Sequence, residues 1–197
     1  MSDKSIDKLM YSFVMEDVLK GVFINVPPGY VAVVYDRGRG VLKKVLTPGL
    51  HFKIPFWQKA KLFNTQTLEY SISRDFNLEN RRALGDIPIA AVTKDEQKIA
   101  VEGTLLLRLD VEQIPDIWQN IGEDFVSKII RPTVRSRIRM VASEFTKQEI
   151  VGEKRDSVET ELKNKLEEIL YPRGIYVENV LLSEVADRAE FSRTAED

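Results

Sequence analysis

The sequence predicts an α+β fold: an antiparallel β-rich first subdomain, then an α/β second subdomain with two to three helices packed on a sheet. Short apolar runs broken by Pro and Gly fill Val22 to Ser73, a spacing that suits antiparallel strands and not βαβ units. Ile99, Val101, Leu105, Leu107 and Leu109 alternate around Gly103, the two-residue period of one long strand. From about Asp110 the apolar period becomes 3.6 and helices take over.

Taken in order, Leu9–Ile24 reads as an amphipathic helix. Met10, Tyr11, Val14, Met15, Val18, Leu19 and Val22 share one side, Ser12, Glu16, Asp17 and Lys20 the other, with Phe13 the misfit. Its apolar side packs on its own domain or a neighbouring subunit, or lies in a membrane interface; the acidic polar face favours packing. "VFINV" stops at Pro27-Pro28-Gly29, "YVAVVYD" at "RGRG", and "VLKKVL" at Thr47-Pro48-Gly49, all turn signals. "HFKI", "KAKLFNT" and "TLEYSIS" follow as strands. Ser73–Asp86 is polar without periodicity, a loop or protruding hairpin. "IPIAAVT" and "QKIAVEGTLLLRLD" then flank a polar turn, "KDEQ".

In the helical half, "IPDIWQNI" closes at Gly122. Ile130, Val134, Ile138, Val141 and Phe145 make an apolar stripe, with Pro132 marking the helix start. Thr146 and Glu149 have capping-box spacing. Val158, Leu162, Leu166 and Ile169 form the buried side of the next helix, with Glu159–Lys163 and Glu161–Lys165 pairs on its wet side. Pro172 and Gly174 end it, and "GIYVENVLLSEV" returns as a strand. The division expected is an N-terminal helix over residues 1–23, a β-rich part over 24–73, a polar link over 74–86, an α/β part over 87–185 and a polar tail over 186–197.

Composition narrows the function. The 197 residues carry 29 basic and 31 acidic side chains, for a net charge of −2, so no overall field recruits nucleic acid. No cysteine and a single histidine argue against a disulfide scaffold, thiol chemistry or a His-rich metal site. "RGRG" fills neither a P-loop nor a GxGxxG frame, and no serine has GxSxG context. No catalytic residue, metal or cofactor is expected. No run reaches the roughly 18–20 apolar residues that span a bilayer, and the start lacks signal-peptide form.

Two features stay open at this level. Arg131, Arg135 and Arg139 repeat every fourth residue, forming a solvated stripe, a subunit contact with acids such as Glu161, Glu167 or Glu168 of a neighbour, or a nucleic-acid contact, the last disfavoured by the net acidic charge and the lack of interleaved aromatics. His51, in a strand, is expected to have a hydrogen-bonded ring.

"VPPGYVAVVYDRGRGVLKKVLTPGLHFKIPFWQKAKLFNTQTLEYSI", "VTKDEQKIAVEGTLLLRLD" and "IIRPTVRSRIRMVASEFTKQEIVGEKRDSVETELKNKLEEILYPRGIYVENVLLSEV", in that order, resemble the stomatin/prohibitin/flotillin domain, also called SPFH or band 7. The resemblance covers residues 24–185 and is most prohibitin- or stomatin-like. Most members add an N-terminal hairpin or transmembrane anchor and a long coiled coil, stretches this sequence does not show. The resemblance implies a non-catalytic intracellular scaffold, peripherally bound to membrane lipid. Its partners would be copies of itself or paralogous SPFH subunits, and membrane proteins such as AAA proteases. The alternative is a soluble cage-building module of the same fold that never meets lipid. The resemblance also places "IPFWQK" at a tip facing one leaflet, with Phe56 and Trp57 entering it and Lys53, Lys59 and Lys61 at the headgroups. Against this stands a core role, in which both rings plug the end of the sheet under Pro55.

Overall fold

A computed structural model describes residues 21–77 and 84–187. The helix expected over residues 1–23 therefore lies outside the described residues but for its last three. The described chain divides into two compact units: residues up to Gln66 with Val111–Asn120, and Thr67–Asp110 with the residues from Ile121 on.

In the first unit, β1 (Phe23–Val26) pairs antiparallel with β4 (Gly49–Phe52). Strand β2 (Tyr30–Asp36) lies between β3 (Gly40–Val41) and β5 (Gln58–Asn64), antiparallel to both. Val31 to Val34 are all buried: β2 is covered on both faces, hence its unbroken apolar run. The expected strand "VLKKVL" shrinks to its first residue, because Lys43 and Lys44 stay in water. The chain returns to the sheet only at Leu46, which exchanges hydrogen bonds of 2.9 and 2.8 Å with Ala32. Helix α1 (Ile114–Asn120) buries Ile114 and Ile117, and Trp118 meets Phe63 edge-on at 6.1 Å.

The second unit is built on β9 (Lys98–Leu109). One flank carries β10 (Ile175–Asp187). The other carries, in succession, β8 (Ile89–Val92) along Lys98–Val101 and β6 (Leu68–Ile72) along Gly103–Leu107. Every expected inward residue of β9 is buried. A Cβ on Gly103 would lie 2.5 Å from the Leu181 carbonyl oxygen, so β10 approaches too closely for a side chain there. Inside the polar stretch Ser73–Asp86, β7 (Gly85–Asp86) pairs parallel with β6.

Three helices accompany this sheet. Helix α2 (Arg131–Ala142) lies on β8, and α4 (Arg155–Leu170) lies on β10 and against α2. Helical structure begins before Pro132, in a π turn over Val126–Ile130 where the Arg131 N–H bonds to the Val126 carbonyl. Proline's missing N–H fits a site where the ladder changes step. One-turn α3 (Lys147–Val151) carries the expected capping box: the Thr146 side chain takes the Glu149 N–H and Glu149 takes the Thr146 N–H. In α4 the fourth buried position is Leu170, not Ile169. Lys163 pairs with Glu167 and not with Glu159, while Glu161–Lys165 forms as expected. Gly174 ends the helical segment at φ 76°. These units make the α+β class the sequence predicts.

Strand β10 borders the sheet, and its ladder is broken by irregularities at Val177/Asn179 and Leu182/Val185. Beside the second, Arg155 donates to the carbonyls of Leu182 and Ser183, and Glu159 accepts the Leu182 N–H at 2.8 Å.

Candidate functional site

The β1–β4 register sets Phe23 opposite Phe52 and Asn25 opposite Leu50. Strand alternation sends these side chains to one face and Ile24, His51 and Val26 to the other. Val26 is buried, whereas Leu50 and Phe52 are each 68% exposed. Phe23 and Phe52 stack edge-on at 6.1 Å. The His51 ring bonds the Thr47 carbonyl at 2.6 Å, so the ring is hydrogen-bonded, through a partner the sequence did not name.

Ile54–Trp57 extends this apolar face. Phe56 is 83% exposed and Trp57 51%, so Phe56 plugs nothing. Trp57 leans on the β2–β3 turn: a Cβ built on Gly38 would lie 3.6 Å from its indole. The sequence reading singled out Phe56 and Trp57 but missed Phe23, Leu50, Phe52 and Ile54. The alternation Leu50-Phe52-Ile54 was visible; that it faces outward was not.

The turn beneath the tip is fixed by Asp36, whose side chain is 3% exposed. It accepts the Gly38 and Arg39 N–H groups at 2.9 and 3.1 Å, the Arg39 guanidinium at 3.0 Å and the Gln58 amide at 2.9 Å. These donors, Gln58 foremost and then Arg39, hold the carboxyl far below the usual carboxylate range.

Charge gathers here too. The described part of this unit holds seven basic residues (Arg37, Arg39, Lys43, Lys44, Lys53, Lys59 and Lys61) against Asp36, Glu112 and Asp116. That surplus of four positive charges is opposite in sign to the whole chain. Lys59 is exposed, and Lys53 and Lys61 are half-buried.

The arginine stripe belongs to the second unit and has partners within its own chain. Arg131 donates to the Gly85 carbonyl at 3.1 and 3.3 Å, and Arg139 to the Ala90 carbonyl at 3.1 Å. Arg135 grips Asp86 with two bonds, 2.5 and 2.6 Å, and Asp86 is fully buried. The stripe is therefore not merely solvated; it ties α2 to β7 and β8. Its acid partner was invisible in sequence because Asp86 and Arg135 are 49 residues apart. Nearby, the buried Tyr70 hydroxyl makes no hydrogen bond of normal geometry, although the Arg131 guanidinium is close enough to counter part of its pKa rise. Burial, then the Asp86 charge, pushes its pKa up to about 12. Glu161 and Glu167, half-buried, pair along α4 with Lys165 and Lys163, and Glu168 is exposed.

The two clusters differ in kind. The first is an exposed aromatic tip on a basic β unit; the second is a set of internal ties. Among the described residues no three His, Asp or Glu side chains gather as a metal site would require, and no helix is long and apolar enough to cross a membrane.

An α+β chain of this order, with its tip between β4 and β5, defines a domain class, and comparison with known proteins identifies it. Residues 24–197 match the model of the SPFH domain / Band 7 family, and the chain belongs to that family. Among similar proteins are Prohibitin-1 of Schizosaccharomyces pombe, 26% identical over 91% of this chain and 58% of its own length, and Prohibitin 1 of Mus musculus, 27% identical over 91% and 60%. Prohibitin-3, mitochondrial, of Arabidopsis thaliana is 25% identical over 91% and 59%. The chain thus spans about three-fifths of the length of these curated relatives.

Proposed function

We propose that this chain is a non-catalytic scaffold whose copies associate and bind peripherally to an anionic leaflet through the Phe56 tip. The carrying observation is that Phe56, the most exposed aromatic ring among the described residues, stands on the unit whose described part accumulates positive charge. Phe and Trp suit the apolar–headgroup boundary. Lys53, Lys59 and Lys61, with Arg37, would add about 1 kcal/mol each close to an anionic surface. Phe56 and half of Trp57 contribute about 3–4 kcal/mol if buried. Set against the several kcal/mol that association itself costs, this leaves one copy binding weakly, and gathered copies bind firmly by avidity.

Self-association engages the wet side of α4, where Glu168 is free of the pairing that occupies Glu161 and Glu167, together with the exposed Arg139 end of the stripe. The clients are membrane proteins, membrane-bound AAA proteases among them, or lipid itself. The first unit, residues up to Gln66 with Val111–Asn120, serves as the membrane-facing part and the second unit as the associating part; the sequence-expected divisions at 73 and 86 fall inside the second unit's sheet.

Flotation with phosphatidylserine-containing and purely zwitterionic vesicles tests this. The parent should float with the former, and a folded Phe56→Ser/Trp57→Ser variant should stay behind. Equal flotation of both overturns the tip assignment. A parent that forms assemblies yet never floats leaves the soluble cage-like module.

A further inference from the structure

We infer that Asp36 and Gln58 are positioning residues that hold the Ile54–Trp57 tip in its inserting shape, an inference that rests on the membrane reading above. The tip has an unusual backbone. Trp57 donates its N–H to the Pro55 carbonyl at 2.8 Å across Phe56, which sits at φ 63°. This is a three-residue turn of the rare positive-φ kind. A bulky L-residue does not adopt that conformation unaided; surrounding structure must impose it.

Gln58 is what imposes it. Its backbone N–H donates to the Ile54 carbonyl at 2.9 Å, and its side-chain Oε1 accepts the Ile54 N–H at 3.0 Å. Both polar groups of Ile54 are thus held by one residue, closing the loop around Pro55-Phe56-Trp57. The amide can serve only in one orientation. Oε1 must face the Ile54 N–H, so Nε2 faces Asp36, whose carboxylate only accepts. Asp36 in turn is anchored to the neighbouring hairpin by three further donors from Gly38 and Arg39. A carboxylate has about four acceptor sites, and these four bonds fill them. A second tie runs parallel: the Arg37 N–H reaches the Trp57 carbonyl at 3.2 Å.

The tip is therefore braced from the side away from its exposed ring. A braced tip meets lipid already ordered, whereas a loose one must lose conformational freedom on insertion. Bracing also explains why a buried carboxylate and a glutamine stand beneath a surface otherwise made of aromatic and basic residues.

The test uses the full chain with Gln58→Ala and, separately, Asp36→Asn. Two readouts are taken: partitioning onto phosphatidylcholine vesicles carrying about 30% phosphatidylserine, and amide exchange without lipid. Each variant should lose exchange protection at Ile54, Trp57 and Gln58 while Val33 and Phe63 keep theirs, and should partition about tenfold more weakly, equivalent to 1.4 kcal/mol. Deprotection that spreads to Val33 and Phe63 would make the role a general structural one and overturn the inference. So would parent-like partitioning in variants whose tip amides have become unprotected. A parent chain that ignores the vesicles fails at the earlier step, overturning the membrane reading and this inference together.

Discussion

Replacing Arg135 by Ala would strand Asp86, whose side chain is fully buried. Of the three hydrogen bonds that carboxylate accepts, two come from Arg135 and the third is the Ile87 N–H at 2.9 Å. Removing one partner of a buried pair costs about 3–5 kcal/mol. Arg135 itself is 39% exposed, so water can enter the vacated space, and the lower end, about 3 kcal/mol, is the expected loss. For a chain of this size that lowers the melting temperature by about 6–12 °C. Urea unfolding followed by circular dichroism of Arg135→Ala, Asp86→Ala and the double variant would measure the coupling directly. The double variant should recover more than half of the loss, since removing both charges leaves no stranded carboxylate. Additive losses would refute the pairing. A midpoint for Arg135→Ala that shifts with protein concentration would assign the arginine to a contact between copies instead.

Other substitutions test other joints. Glu96 occupies φ 59° in the turn after Thr93, so Glu96→Gly should stabilise the chain by about 1 kcal/mol in thermal unfolding. Gly85→Ala would drive a Cβ into the Ser71 carbonyl oxygen and to 2.6 Å from the Phe76 ring; a loss of about 3 kcal/mol or more is expected. In the capping box, Lys154 first and then the Thr146 N–H hold Glu149 at a pKa of about 2, below its ordinary 4.5. A lowered folded-state pKa gives stability that is complete above the unfolded value and fades as pH falls. The parent should therefore lose stability from about pH 4.5 down to about pH 2, and Glu149→Gln should flatten that part of an acid titration. Tyr70→Phe removes a buried hydroxyl without a hydrogen bond of normal geometry and should leave the melting temperature unchanged or higher.

Local chemistry was legible in the sequence and distant pairing was not. The Thr146–Glu149 box, the "KDEQ" turn and the alternation of β9 each involve residues within a few positions of one another, and each forms as read. Strand β7 escaped because two residues inside a polar stretch carry no period; what secures them is Arg135, far along the chain. The absence of a full third strand at "VLKKVL" follows from two lysines whose solvation outweighs the pull of the flanking apolar residues. The buried position Leu170 in place of Ile169 is a one-residue drift of the kind that the helical period alone does not settle. At the tip, nothing in a Phe-Trp pair announces a positive φ, because that conformation is imposed by hydrogen bonds from Gln58 and not chosen by phenylalanine.

With Arg155 and Glu159 occupying the backbone groups of Leu182 and Ser183, the thirteen-residue strand β10 is interrupted as a template for zipping onto another chain. A bare border of that length would invite open-ended ladders of β structure. In the association proposed above, that interruption favours side-chain surfaces, whose fixed angles can bend a growing row of subunits back onto itself instead of letting it run on as a fibre.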